Sequence, residues 1–396
     1  MPQRIRAVAI LSLGWLGALS APLVGQAPPA AAEAAPAPAP APPPTFKLSG
    51  YAEASYVYST EAAPPNTIVG RLYDRYSDAF TLNALKLAVD RPYNAKKVDA
   101  GVHADVLIGE NAAVLQSVGS GNPSVGPAGN TFNIGADGDV IQLYVTLNLP
   151  TKSGSGVQFK AGKFVTMMGV EVIEDVVNPN WSEGNQFIYV ENFTATGVEV
   201  DLKPSSTVDA EFRIDNGWDR IVVTNGHKDF MARLGLAPSA NTALGVVGYV
   251  GAQEPNSSAA RYGVNVVLNQ KMGSKTSVWL QGDWGKETAN AALPDPTQDA
   301  TWWALGGWLA TDLSPKANLA VRADYMDDAE GARTSGAFGT PAGTAHKLWS
   351  LTGTLNVKTF PNVLLRPEVR YDHSNFPVFN GKSGQASVAL SVAYLY

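Results

Sequence analysis

Residues 386–396 read A-S-V-A-L-S-V-A-Y-L-Y and end the chain. Taking every second residue puts Val388, Leu390, Val392, Tyr394 and Tyr396 on one face and Ser387, Ala389, Ser391 and Ala393 on the other. A period of two belongs to a β-strand, whose successive side chains point to opposite faces. A tilted strand of about 9–11 residues crosses the hydrocarbon layer of a bilayer. The apolar face then belongs against lipid, the small polar face belongs inside, and the terminal tyrosines sit at interface height.

The same alternation recurs upstream, over 46–58, 79–89, 98–108, 140–149, 157–166, 195–202, 208–217, 230–237, 242–251, 261–269, 276–285, 301–311, 318–326, 348–358 and 363–372. With the closing strand this gives sixteen, and the fold class is an all-β, transmembrane, antiparallel up-and-down β-barrel. In 79–89 the parity changes between Phe80 and Leu82 on one side and Leu85, Leu87 and Val89 on the other, which predicts a β-bulge around Asn83 and Ala84. In 140–149 the alternation sets Ile141 with Leu143, Val145 and Leu147 on the lipid face. Pro367 falls inside a strand, where a closed barrel offers no edge, and predicts a second bulge. Connections alternate long and short along the whole chain, with the longest at 110–139 and 167–194. Short turns on one side and long loops on the other, with an even strand count, place both termini in the periplasm of a Gram-negative-type envelope. No blade-length repeat supports a propeller.

The other end of the chain agrees with export. Arg4 and Arg6 precede an apolar run over 7–21 and small residues follow, the pattern of a secretory signal peptide over 1–26, cleaved between Gly25 and Ala32. Residues 27–45 are almost all Ala and Pro and read as a disordered linker; the barrel occupies 46–396. The charged fraction of 16% is low for a soluble domain, yet mean hydropathy is only -0.06, because alternation hides the apolar half. With no cysteine, neither disulfides nor thiolate chemistry is available. The formal charge of -6 becomes -8 without Arg4 and Arg6, which excludes nucleic acid as a partner.

Several motifs carry a family resemblance: G-Y-A-E-A-S-Y-V-Y at 50–58, G-K-F-V-T-M-M-G-V-E at 162–171, N-P-N-W-S at 178–182, T-G-V-E-V at 196–200, N-G-W-D at 216–219, R-A-D-Y-M-D-D-A-E-G-A-R-T-S-G at 322–336 and R-P-E-V-R-Y-D at 366–372. Together they resemble the outer-membrane β-barrel porins of the OmpL-like group, over essentially all of the mature chain. The resemblance implies a channel in the cell outer membrane and supplies no substrate. The aromatic end is similar to the closing strands that the barrel-assembly machinery recognises. Implied partners are therefore that machinery, outer-membrane lipid, small hydrophilic solutes and, as in many porins, further copies of the chain.

Chemistry of other kinds is sparse. His103, His227, His346 and His373 are spread over a strand and three loops without metal-ligand spacing. Asp327, Asp328 and Glu330 before Gly331 read as a solvated acidic loop ahead of a cation site, and Gly119, Gly121 and Gly126 as a flexible loop, with no helix or Lys-Ser/Thr to complete a phosphate cradle. No nucleophile with a base and an acid stands out, so no catalytic residue, metal or cofactor is assigned and the chain is not read as an enzyme. Trp284 and Trp349 share the lipid parity, Trp279 the lumen parity, and the strand with Trp302, Trp303 and Trp308 has apolar residues on both.

Function then rests on the lumen parity. The expected pore-lining charges are Glu199, Asp201, Asp209, Glu211, Arg213 and Asp215 on strands six and seven, and Arg322, Asp324, Arg366, Glu368, Arg370 and Asp372 on strands thirteen to fifteen, with Lys358 beside them. Five carboxylates against one arginine leave the first wall at -4; four cations against three carboxylates leave the second at +1. An unpaired acidic wall predicts mild cation selectivity. By analogy with general porins the third long loop narrows the pore through Glu171, Glu174, Asp175, Asn178 and Asn180, and the competing candidate is the second loop, 110–139, which deletion of 117–130 would test. The expected function is passive diffusion of small hydrophilic solutes. The rivals are an enzyme on a barrel scaffold and a closed structural or adhesive barrel.

Overall fold

The computed structural model describes residues 45–118, 137–151, 156–255 and 257–396. The leader, residues 27–44 of the linker, and the Gly119, Gly121 and Gly126 stretch of the second loop lie outside the described residues. Sixteen strands, β1(Lys47–Ser59), β2(Ala79–Arg91), β3(Asp99–Ile108), β4(Gly138–Leu149), β5(Val157–Val165), β6(Thr194–Leu202), β7(Val208–Asp215), β8(Asp229–Ser239), β9(Thr242–Ala252), β10(Ala260–Met272), β11(Thr276–Glu287), β12(Ala300–Ser314), β13(Ala317–Asp328), β14(His346–Phe360), β15(Val363–Ser374) and β16(Gly384–Leu395), form one closed antiparallel barrel. Each strand pairs with its chain neighbours, and β16 returns to β1 from Tyr51↔Leu395 to Ser59↔Ser387. Closure satisfies the backbone without water, which a membrane core demands.

The terminal residue locks this seam. Tyr396 exchanges both backbone hydrogen bonds with Gly50 at 3.1 Å, and its hydroxyl donates to the Lys86 carbonyl at 2.7 Å. Gly50 is glycine because a Cβ there would sit 2.0 Å from that same carbonyl oxygen.

The two faces separate cleanly. On β16, Val388, Leu390, Val392 and Tyr394 are exposed to the bilayer side while Ser391 and Ala393 are fully buried. Toward the long loops the outer wall carries a belt of paired rings, Trp303 with Tyr325 and Trp349 with Tyr371, and Tyr262 with Trp284, at centroid distances of 5.1, 5.3 and 5.9 Å. Trp302 and Trp308 are buried on the lumen side of β12, whereas Trp303 faces out.

Irregularities fall where local chemistry needs them. The β1–β2 register shifts between Glu53 and Ala54, leaving Asn83 as the extra residue, at the expected bulge. A second shift, between Asp105 and Val106 on β3, leaves Ile141 unpaired on β4. That bulge turns Ile141 into the lumen, where it is buried with Tyr51, Leu107 and Phe187, so the lipid-facing expectation for Ile141 is corrected. Pro367 makes no bulge. The β15–β16 register runs through it unbroken, and the missing N–H is absorbed as a gap in the β14–β15 ladder between Thr354↔Glu368 and Val357↔Leu365, with the same register on both sides.

Seven short turns occupy one rim. The other rim carries loops L1 (60–78), L2 (109–137), L3 (166–193), L4 (216–228), L5 (253–259), L6 (288–299), L7 (329–345) and L8 (375–383). Strands run further than the alternation alone indicates, so His346 and His373, expected in loops, lie in β14 and β15. The buried interior centres on L3, which folds into the barrel and packs against strands on most sides.

Candidate functional site

L3 contains Glu171, Glu174, Asp175, Glu183 and Glu191 and no Lys or Arg. Such a segment buries itself only where cations and N–H donors meet it. Its two ends are tied at the neck, where Thr166 N donates to the Phe193 carbonyl at 2.9 Å and Thr166 Oγ1 to Asn192 Oδ1 at 2.8 Å. Between them the chain makes a circuit of the lumen. Gly169 N donates to Asn265 on β10 and Val170 N to Gln281 on β11, at 3.3 and 2.9 Å. Glu171 accepts from Arg322 Nη1 at 2.5 Å and Trp308 Nε1 at 3.2 Å. Glu174 pairs with Lys86 on β2, and Asp175 accepts from Asn111 at 3.3 Å.

The N-P-N-W-S motif is the turning point. Asn178 clamps the loop by pairing its amide with both the N–H and the carbonyl of Val172, at 2.9 and 2.8 Å. Asn180 Nδ2 donates to Thr354 Oγ1 at 2.7 Å. The Trp181 indole N–H donates to Glu53 on β1 at 2.9 Å and its backbone N–H to Glu368 on β15 at 2.8 Å. A short helix, Asn185–Tyr189, brings the loop back: Asn185 donates to Asp324 and Gln186 to Asp283, both at 2.6 Å.

The basic residues of β13–β15 face inward as their parity requires, and L3 covers them. Arg366 is fully buried and gives its guanidinium to the carbonyls of Asp175 (2.5 Å) and Asn178 (2.8 Å) and to Asn356 Oδ1 (2.7 Å). Arg370 holds the Glu183 carbonyl at 2.6 Å and Asp372 at 2.7 Å, and Asp372 takes Arg71 of L1 at 2.7 Å as well. Arg322 spans Glu171, the Ser182 carbonyl and Asp324.

The acidic candidates stand on the other wall. Glu199 accepts from Arg213 Nε at 2.8 Å and pairs with Lys160 on β5, which also reaches Asp201 at 3.8 Å. Asp209 and Glu211 both pair with Arg233 on β8. Asp215 accepts the Gly217 N–H at 2.8 Å. Lys160 and Arg233, absent from the sequence-level charge sum, bring this wall from -4 to -2. Glu199, Asp201 and Glu211 offer carboxylate oxygens within 4.8 Å of one another, but Arg213, Lys160 and Arg233 already neutralise them, so the cluster carries no metal assignment.

Burial marks L3 electrostatically. It pushes the carboxyl groups of Asp175, Glu183 and Glu191 well above the ordinary range, and the neighbouring carboxylates Glu53, Glu171 and Asp283 respectively push the same way. The acidic run near Gly331 is taken up by its own loop and the flanking strands: Asp328 accepts from Thr334 of L7, Glu330 from Thr301 of β12, and Asp327 pairs with Lys347 of β14. Trp279 is covered, packed with Val170, Val267 and Trp308. His103 lies between Asp90 and Asp105, at 3.4 and 3.3 Å.

The sequence pattern of the family described as "Putative beta-barrel porin-2, OmpL-like" matches residues 45–396. No curated protein sequence is similar to the chain. Solved structures with a similar fold include the outer membrane channel DcaP of Acinetobacter baumannii, at 12% identity and TM-score 0.58, covering 89% of this chain and 97% of that one. The trimer form of OmpT from Vibrio cholerae is similar at 10% identity and TM-score 0.57, with 89% and 99% covered. An anion-selective porin from Comamonas acidovorans follows at 8% identity and TM-score 0.56, again with 89% and 99% covered. At such identities the likeness is one of fold.

Proposed function

The chain belongs to the OmpL-like β-barrel porin family of the outer membrane, and from that premise we propose that it is a passive diffusion channel for small hydrophilic solutes, narrowed by L3. The observation that carries this reading is the direction of the loop's anchors: its hydrogen bonds and ion pairs run to β1, β2 and β10–β15. Apolar packing of L3 also reaches Leu107, Ile141 and Met231, and the polar wall of β5–β8 is left to the conducting path, with Lys160, Asp209, Glu211 and Arg233 along it. The eight charged groups described above on β5–β8 sum to -2 and give a small cation preference, weaker than an unpaired wall would give. The start of β1 and the C-terminus sit on the short-turn rim, which we assign to the periplasm, and the exported chain loses its leader. The OmpT trimer form supports a homo-oligomer as the working assembly.

Planar-bilayer recording on the refolded chain tests this. Stable open steps with a reversal potential slightly toward the cation side in a salt gradient are expected. A sealed bilayer at every voltage would favour the closed barrel, and deletion of residues 174–184 without any rise in conductance would remove L3 as the constriction.

A further inference from the structure

Above L3, on the long-loop side, four neighbouring strands place Tyr249, Gly263, Gly285 and Trp302 in one row. The two glycines make room for the two rings. A Cβ at Gly263 would lie 2.4 Å from the Tyr249 hydroxyl, and one at Gly285 would lie 2.5 Å from the Trp302 indole nitrogen. The polar ends of both rings therefore lie over the glycine pair. Both residues are more than nine-tenths buried, and neither polar atom has a hydrogen-bond partner among the described residues. A buried donor left in that condition has lost its water without gaining an acceptor, and several such donors together suit a group that accepts from them.

Two guanidiniums share the place. The Arg261 guanidinium lies 4.9 Å from the Trp218 ring centroid and 5.8 Å from that of Trp302, and Arg333 of L7 lies 5.5 and 5.4 Å from the same two rings. Arg261 gives Nη2 to Glu287 at 2.8 Å and leaves Nε without a partner. Arg333 donates Nε to the Tyr189 carbonyl of L3 at 2.7 Å and, among the described residues, makes no ion pair. Glu287, which also takes Asn290, pairs with Arg261; among the described residues Arg333 has no carboxylate at ion-pair distance, and Glu287 and Asp328 act on it from further off.

We propose that Arg261, Arg333, Tyr249 and Trp302 form a binding site for a small organic anion. Its oxyanion takes the free donors and its apolar body lies against Trp218 and Trp302. Guanidinium forks and N–H or O–H donors match a carboxylate, and aromatic walls match a planar body. The site touches L3 through Tyr189, so a solute held there waits directly outside the constriction. This role rests on the channel reading; the binding itself does not. A weakly cation-preferring path is compatible with it, because the Arg333 charge acts at contact while wall charges are screened over about 8 Å.

Fluorine NMR of fluorobenzoate against the full refolded barrel measures binding without conduction, and bilayer recording on the same preparation tests the channel separately. Saturable binding of fluorobenzoate, displaced by benzoate, is expected, with fluorobenzyl alcohol at least about tenfold weaker because one charged hydrogen-bonded contact is worth about that factor. Arg333→Gln should weaken binding about tenfold, Arg333→Lys less, and Trp302→Phe, which keeps an aromatic ring but removes the indole N–H, by about threefold. Lys382→Gln, an equal charge change on exposed L8, should leave affinity unchanged. Heat-dependent gel mobility confirms that each variant is folded. No saturable binding, equal affinity for the alcohol, or wild-type affinity in both Arg333→Gln and Trp302→Phe would overturn the proposal.

Discussion

Arg366→Gln should loosen L3 without opening the barrel. The arginine is fully buried between β15 and the loop, and its three hydrogen bonds to Asp175, Asn178 and Asn356 run at 2.5, 2.8 and 2.7 Å. A hydrogen bond to a charged group contributes about 1.5–3 kcal/mol net, and Gln can keep roughly one of the three. The two lost bonds amount to about 3–6 kcal/mol, and water reaching the freed carbonyls through the lumen recovers roughly half, leaving about 1.5–3 kcal/mol. At about 1.4 kcal/mol per factor of ten, the undocked population of this arc of the loop rises about 10- to 140-fold. Single-channel recording at high salt reads this as more frequent excursions to larger conductance, and limited proteolysis as faster cleavage near the N-P-N-W-S turn. Arg366→Lys, which keeps the charge and loses the fork, should fall between. If the folded variant gives wild-type traces and wild-type proteolysis, Arg366 does not hold the loop; if only the melting temperature of the barrel falls, it braces the wall instead.

Three further outcomes are expected. Val392→Lys puts a charge on the lipid face near the seam and should cost about 2–4 kcal/mol if it lies near the midplane, whereas Asn318→Lys, on the lumen parity beside Asp312, should cost less than about 1 kcal/mol; urea unfolding in lipid measures both, and equal costs would contradict the assignment of faces. Replacing Asp209 and Glu211 by Asn and Gln should move the reversal potential toward anions and Arg233→Gln should move it toward cations, since these three groups neutralise one another on the β7–β8 wall; no shift in either variant would take that wall off the path. Docking of L3 should strengthen as pH falls. Asp175, Glu183 and Glu191 have raised values in the docked loop, so their contribution is complete below the ordinary carboxylate range and is lost as pH rises through the raised values. Current noise should therefore grow from acidic to alkaline pH, and a pH-independent trace would refute the linkage.

The strands were legible because lipid outside and polar groups inside impose a strict period of two, and even the bulge at Asn83 shows as a change of parity. Ile141 misled because an apolar residue fits a lipid-facing slot and a filled lumen equally well, and alternation cannot report that the lumen is filled. Pro367 misled for the opposite reason: a lone missing donor can be absorbed by a ladder gap, which costs less than rerouting a strand. Charge sums taken strand by strand failed where partners come from the next strand, as Arg233 does for Asp209 and Glu211. The site above L3 left almost no trace, because Trp218, Tyr249, Arg261, Trp302 and Arg333 come from three strands and two loops and share no spacing.

The inward course of L3 had a signal after all, in complementarity across the sequence and not in any one segment. A loop exposed to water has no need to exclude lysine, yet 166–193 has five carboxylates and no base. Three arginines, Arg322, Arg366 and Arg370, stand at alternate lumen positions of β13 and β15, where each would be costly if buried alone. Each problem is the other's solution, and the structure joins them: Arg322 to Glu171 by an ion pair, Arg366 and Arg370 to loop carbonyls. All three use loop carbonyls, since Arg322 holds that of Ser182 as well, and this has a mechanical consequence. Bonds to the main chain fix the path of the loop whatever its side chains are, so substitutions at Asn180 or Glu183 should alter the loop locally, whereas loss of Arg366 or Arg370 should release it.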